Sequence, residues 1–312
     1  MPKYALLISP RAEAAYFHQA AEVAFAELSG AVDVAPEVLS HGDMRFLVVD
    51  VAEGALPGLL RLSFAQGAFA IEGDAMLPVA QTPGFHLHPD FVWGEKYRGK
   101  TNETLTQLLI NLALQQVDRP AEELTLLDPM SGRGTTCLWA MRYGMRSVGI
   151  EQDKQAPVDI QRGLKKWTKL HRQKHKLSEG WVQKVNKRGA GKYLEFAAEG
   201  VSARFITGDT VAARDLLQRK RFDVIATDVP YGVQHQGRGQ RSALEVLCEA
   251  APGWAESLAP GGAMAIAFNS YQPKRVALLE AFSGLGLEEV PVAVAHRMSE
   301  SILRDVLLLR RG

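Results

Sequence analysis

From Leu124 to Leu309 the chain repeats one pattern, a short and strongly apolar run followed by a stretch with helical spacing. The runs are Leu124 to Leu127, Ser147 to Ile150, Ala203 to Thr207, Asp223 to Thr227, Gly262 to Phe268, Glu289 to Ala295 and Asp305 to Leu309. Strands this apolar are buried on both faces, so the pattern predicts an open, mostly parallel sheet with helices on both sides. Sheets of that kind hold ligands beyond the carboxyl ends of their strands. The polar residues at those ends therefore carry the functional information.

The segment before this pattern predicts a small α/β unit, with strands at Tyr4 to Ile8, Phe46 to Val51 and Ala68 to Ile71 and helices at Ala12 to Leu28 and Leu56 to Ser63. It reads either as a ferredoxin-like module or as an N-terminal decoration. "QTPGFHLHPDFVWGEKYRG", residues 81–99, is rich in Pro, Gly, His and aromatics and reads as a linker or docking loop. A helix then opens near Thr101, where a Thr or Asn cap precedes Leu105, Leu108, Leu109, Leu112 and Leu114. The expected organisation is a small domain over 1–77, a linker over 78–99 and an α/β domain over 100–312.

"LTLLDPMSGRGTTC", residues 124–137, is the most specific segment. A strand runs into Asp128, passes Met130, turns through Gly132 and Gly134, and enters a helix at Thr135. Glycine at these points lets the backbone approach a ligand that a Cβ would obstruct. Cys137 stands where the dinucleotide fingerprint needs its third glycine, and no phosphate-binding lysine follows, so NAD and ATP are disfavoured.

Glu151 ends the next strand, where a carboxylate accepts hydrogen bonds from ribose hydroxyls. Asp209 follows the third strand in "FITGDT", placed to accept from an adenine amino group. Either acid alone reads as a solvated loop residue; together, in order, they favour a nucleoside site. The helix start at Lys100 and Thr101 offers N–H groups to a ligand carboxylate, or is a plain cap.

At the end of the fourth strand lies "FDVIATDVPYGVQ", residues 222–234. An exocyclic amine on a base has its lone pair delocalised into the ring. Hydrogen bonds from that amine to the Asp228 carboxylate and the Val229 carbonyl would localise the pair and aim it at a methyl sulfonium. Pro230 would stiffen the turn, and Tyr231 would stack on a base drawn away from its neighbours. The pattern thus points to methylation of a planar amine.

"DPMSGRGTT" followed by "DVPYG", with "KYRGKTNETLTQLLINLAL" upstream and "HRMSESILRDVLLLRR" at the end, resembles the amino-methyltransferases that modify guanosine at N2 in tRNA, a family whose members often carry a THUMP domain. The resemblance covers about residues 95–312. It implies a Rossmann-like class I methyltransferase domain using S-adenosylmethionine, with Asp128, Gly132, Gly134, Glu151 and Asp209 on the cofactor and Asp228, Val229, Pro230 and Tyr231 on the target amine; Thr101, at the helix start, and Met130, in the loop, complete the expected cofactor contacts. Val229 is a departure, since many amino-methyltransferases have proline there, although a related tRNA branch is similar to this chain in having an aliphatic residue. That leaves the identity of the base open, since the same logic serves adenine N6, cytosine N4 and glutamine amides.

Residues 154–192 carry twelve Lys and Arg against two acids, a net of +10, which leaves −9 on the rest of a chain whose total is +1. This basic insertion, with Trp167, Trp181 and Tyr193 interleaved, reads as a surface that neutralises phosphates and stacks on bases, or as a solvated helix with Trp167 in the core. Lys165, Lys166, Lys169, Arg172, Lys174, Lys176 and, in the loop "QHQGRGQR", Arg238 are the expected nucleic-acid contacts. RNA, tRNA foremost, is the expected partner. The N-terminal 80 or so residues are short for the family's full RNA-binding portion, which leaves room for an accessory protein subunit.

The alternatives are a DNA adenine or cytosine amino-methyltransferase and an inactive RNA-binding protein of the same fold. Two cysteines exclude a disulfide framework, and the sequence suggests no membrane span, no metal and a cytoplasmic location.

Overall fold

The structure, a computed structural model, describes residues 1–97, 100–185, 188–229 and 242–312, with the backbone alone over 183–185 and 188–190. The chain divides into two compact units, residues 1–84 with 291–306, and residues 85–290 with 307–312.

The first unit contains β1 (Lys3–Ile8), α1 (Pro10–Tyr16), α2 (Ala20–Ser29), β2 (Glu37–His41), β3 (Met44–Asp50), α3 (Leu56–Leu59), β4 (Ala65–Glu72) and β5 (Ala75–Pro78). Its antiparallel sheet has the order β2-β3-β1-β4-β5. Without β5 this is the strand order of a ferredoxin-like arrangement. Ser9 caps α1 by accepting from the Ala12 N–H at 3.1 Å, with Pro10 following at the first helical position.

The helix expected over 12–28 is broken by a 3-10 turn at Phe17–Gln19, beside a buried Tyr16 hydroxyl 2.9 Å from Ser63 Oγ. β2 is exposed along its whole length, so it has no apolar alternation for the sequence to display.

The second unit contains α4 (Asp90–Trp93), α5 (Glu103–Leu114), β6 (Thr125–Asp128), α6 (Thr135–Arg142), β7 (Arg146–Glu151), α7 (Ala156–Leu170), β8 (Lys176–Val185), β9 (Arg188–Ala198), β10 (Val201–Thr207), α8 (Ala213–Leu216), β11 (Phe222–Asp228), α9 (Ala243–Ser257), β12 (Leu258–Asn269), α10 (Arg275–Ala281) and β13 (Leu287–Glu289). β14 (His296–Ser299) and the first half of β15 (Ile302–Arg311) belong to the first unit, and the second half of β15 to the second. The large sheet has the order β13-β15-β12-β11-β6-β7-β10-β9-β8. β12, β11, β6, β7 and β10 are parallel, the Rossmann-like core that the alternating pattern predicts. Leu127, Ile150, Ile206, Ile225, Trp254 and Ile266 bury its centre.

Three segments differ from the sequence reading. The expected linker over 78–99 is one: its residues 85–97 cluster with the second unit, because Leu87, Phe91 and Val92 are buried there around α4. Glu289 to Ala295 is not a strand beyond Glu289, because Pro291 has no N–H for a ladder, and 291–306 clusters with the first unit rather than with the α/β domain. The basic insertion is a helix followed by a β-hairpin: β9 pairs antiparallel with β10 and β8 with β9, which extends the sheet by two strands. Among the described residues no helix is long and apolar enough to cross a membrane.

Candidate active site

Register alone brings the strand-end acids to one level. Ile225, Leu127, Val148 and Arg204 form a row across β11, β6, β7 and β10. Three residues further along their strands stand Asp228, Glu151 and Thr207, the last two directly paired. The glycine loop leaves β6 between Asp228 and Glu151 at this same edge.

Gly132 and Gly134 both adopt positive φ, +51° and +79°. A Cβ on Gly132 would meet nothing within 4 Å, so the loop opens to space there. A Cβ on Gly134 would stand 2.4 Å from the Phe205 ring, so that glycine is required by packing against β10. Arg133 between them is held by Asp153 at 2.8 Å and Asp159 at 3.2 Å. The sequence reading missed this anchor, although an arginine between the two glycines was visible in "GRG".

Asp128 faces inward. It is buried and accepts from the Met130 N–H at 3.1 Å and the Thr227 hydroxyl at 2.8 Å, so it shapes the loop. Burial pushes its carboxyl up to about 6, against the opposing effect of hydrogen bonds from Thr136, Thr227 and Met130. A carboxyl raised in the folded state favours folding most where it is protonated, and that contribution is lost as pH climbs from about 4 through about 6. Relative to Asp128→Asn, the wild type should lose up to about 3 kcal/mol of stability between pH 4 and 7. Denaturant titrations of both proteins across that range test this; parallel curves would refute it.

Glu151 accepts from the Gly132 N–H at 2.9 Å and the Asp153 N–H at 2.8 Å, which ties the second strand end to the glycine loop. Asp209 caps the following 3-10 turn through the Val211 N–H at 3.0 Å. Asn102, not Thr101, is the cap of α5, accepting from the N–H groups of Thr104 and Leu105.

Thr101 instead donates its hydroxyl to Asp228 at 2.8 Å. Lys100 fixes this segment: its ammonium, largely buried, reaches the carbonyls of Val92 and Glu95 and the Glu103 carboxylate at 2.6 to 2.8 Å. The bond from Thr101 to Asp228 was not visible in the sequence, because it joins segments 127 residues apart that only the fold sets side by side; the Lys100 contacts are local turn contacts.

The Val229 side chain is buried in the core and its N–H donates to the Ala267 carbonyl at 2.9 Å. Proline lacks that donor, so valine here continues the bonding between β11 and β12 past the strand end. Pro230, Tyr231 and Arg238 lie outside the described residues.

His88, Asp90 and His171 place their ligand atoms within 4.8 Å of one another. His171 Nε2 lies 2.9 Å from Asp90, and the two imidazoles stack at 3.6 Å with planes 22° apart. Lone pairs lying in two such nearly parallel planes do not converge on one ion. The arrangement supports ring stacking at the end of α7 rather than chelation.

The edge fits a nucleoside-bearing methyl donor: open space over Gly132, Glu151 at the end of β7 and Asp228 at the end of β11 across the loop. Comparison with known proteins bears on the same segment. A search of the curated proteins found no match. Among solved structures the chain is similar to TrmN from Thermus thermophilus (16% identity, TM-score 0.45, 90% of this chain and 61% of that one). It is also similar to a ribosomal protein L11 methylase from Lactobacillus delbrueckii subsp. bulgaricus (13%, 0.41, 66% and 79%) and to an rRNA methylase from Streptococcus thermophilus (15%, 0.38, 64% and 92%).

The chain spans less than two thirds of the length of TrmN, and at these TM-scores the likenesses decide nothing about substrate. The family model for UPF0020, described as RMKL-like, methyltransferase domain, matches residues 95–296, more than half the chain and all of the site. The chain therefore belongs to the UPF0020 RMKL-like methyltransferase domain family, on a Rossmann-like parallel sheet.

Proposed function

We propose that the protein methylates an exocyclic amino group of a base in RNA, with guanine N2 in tRNA as the specific target. The observation that carries this reading is the alignment of Asp228 with Glu151 on either side of the glycine loop. It sets a carboxylate suited to an amine beside a cradle suited to a nucleoside. The lopsided charge of residues 154–192 supports a polyanionic substrate, and the sequence motifs favour guanine N2.

Bound S-adenosylmethionine supplies a methyl group already activated on its sulfonium. Glu151 and Asp209 would hold the nucleoside part of this donor, and the backbone at Met130 and Gly132 would lie against it. Asp228, oriented by the Thr101 hydroxyl, accepts a hydrogen bond from the target amine. The Val229 carbonyl accepts the second amine hydrogen, and the pair draws the nitrogen lone pair out of conjugation. As nitrogen gains positive charge, the nearby carboxylate stabilises it. The methylated amine, now cationic and acidic, then gives its proton to solvent water, which needs no strong base.

Tritium transfer from labelled S-adenosylmethionine, offered total tRNA, rRNA and duplex DNA, tests the reading. Label should enter tRNA and, after digestion, co-migrate with N2-methylguanosine. Label confined to DNA, or a digest showing N6-methyladenosine, would overturn the target. No label in any pool, with donor binding intact, would point to a missing subunit or another class of amine.

A further inference from the structure

The β8–β9 hairpin stands at the end of the row that holds the site. Thr207 pairs with Lys192 of β9, and Lys192 with Trp181 of β8, so Trp181 lies level with Asp228 and Glu151. Beyond that row the two strands continue to the pairs Lys184 with Gly189 and Val185 with Arg188. Four residues of strand rise about 13 Å, so the hairpin projects past the carboxyl edge of the sheet, on the side where ligands enter.

We propose that this hairpin and the exposed face of α7 form an RNA-gripping arm, in which Trp181 stacks on an unpaired base and Lys165, Lys169, Arg172, Lys174 and Lys176 neutralise phosphates. The arm rests on the reading of RNA as substrate, and it assigns where and how that RNA is held.

Trp181 is 58% exposed, whereas Trp139, Trp167 and Trp254 are buried and Trp93 is half-buried. Of the aromatics in the insertion, Trp167 abuts Gly94 beneath α7, and Tyr193 lies under the Arg204 guanidinium and against Gly180. Trp181 is therefore the aromatic left with a face to offer. An indole held open to water on a strand edge loses the benefit of burial, which a stacked base would restore.

Arg162, Lys165, Lys166 and Lys169 recur at helical spacing on the exposed side of α7, and Arg172, Lys174 and Lys176 continue the stripe to the start of β8. Lys166 is paired with Glu95 and Arg162 with Asp159. The five proposed contacts are exposed and none forms a salt bridge among the described residues; Glu179 acts on Lys165 only through its field and pairs with Lys192. An acidic protein strand added to the β8 edge would meet the same charge, but it would leave Trp181 without a planar partner.

Five strand spacings separate β8 from β11, roughly 24 Å from Trp181 to Asp228. The arm thus holds RNA several nucleotides from the reacting base. It should set affinity and leave the chemical step alone.

Binding of labelled total tRNA, and of a 20-nucleotide single-stranded RNA, is measured for wild type, Trp181→Ala, Trp181→Phe and the Lys165→Ala, Lys169→Ala double variant, with donor binding and Tm as folding controls. Trp181→Ala should weaken RNA binding about tenfold and Trp181→Phe much less, since stacking needs only a ring. The double variant should lower the slope of log K against log salt by about 1.5. RNA should also shield tryptophan emission from iodide in wild type and not in Trp181→Phe. Wild-type affinity in Trp181→Ala, or wild-type protein that binds neither RNA, overturns the arm. Binding that depends on Trp181 without label transfer to tRNA supports the arm and sinks only the methylation target.

Discussion

Asp228→Asn is expected to lower the single-turnover rate of methyl transfer to tRNA by about 10²- to 10⁴-fold while leaving donor affinity within about threefold of wild type. The amide keeps the size of the carboxylate and one acceptor, so the variant should fold and bind. It loses the negative charge that faces the nitrogen as that nitrogen becomes cationic.

Thr101→Val gives the same position a second test. Valine keeps the shape of threonine but cannot donate to Asp228, whose partner at 2.8 Å is then gone. A hydrogen bond to a charged group contributes about 1.5 to 3 kcal/mol, so a loss of roughly tenfold or more in rate is expected. Because Thr101 acts through Asp228, adding Thr101→Val to Asp228→Asn should cost little further. Asp228→Asn turning over within about threefold of wild type would remove the carboxylate from the mechanism.

The parts of this site that were legible in the sequence are those that one segment encodes by itself. The turn through Gly132 and Gly134, the acid ending β7 and the acid ending β11 each follow an apolar run, and parallel order then fixes their sequence along one edge. What the sequence could not show depends on register. Glu151 reaches the Gly132 N–H, and Thr101 reaches Asp228 across 127 residues, because neighbouring elements end at one level.

Asp128 illustrates the same limit from the other side. Its place after a strand suggests a ligand contact, yet the structure turns it inward onto Thr227 and the Met130 N–H. A sequence gives the position of an acid along a strand end but not the direction its side chain takes. The β8–β9 hairpin was hidden by composition: lysine and glycine throughout give weak strand propensity, and its stability comes from pairing with β10. The basic charge of the insertion was plain, and a helix with Trp167 in the core was one of its two readings, whereas its strand structure was not visible.

Gly134→Ala should destabilise the protein by about 2 to 5 kcal/mol, a large share of the 5 to 15 kcal/mol typical of a domain. Two causes combine. At φ +79° an alanine carries the left-handed penalty of about 1 to 2 kcal/mol. Its Cβ would also stand 2.4 Å from a Phe205 ring that is only 2% exposed and has no room to move. The Gly134 carbonyl accepts the first bond of α6 from Leu138 at 3.0 Å, so displacing this residue shifts the start of the helix as well.

Gly132→Ala separates the two causes, because its φ of +51° imposes the strain while its Cβ would meet nothing. That variant should lose only about 1 to 2 kcal/mol of stability, its larger effect falling on donor affinity. A double-mutant cycle then isolates the clash. Phe205→Leu removes the ring atoms that the new Cβ would strike, so Gly134→Ala should cost about 1 to 3 kcal/mol less in that background than in wild type. Strict additivity, read from denaturant midpoints at constant slope, would mean that the clash is not the cause and that Gly134 is required only by its backbone conformation.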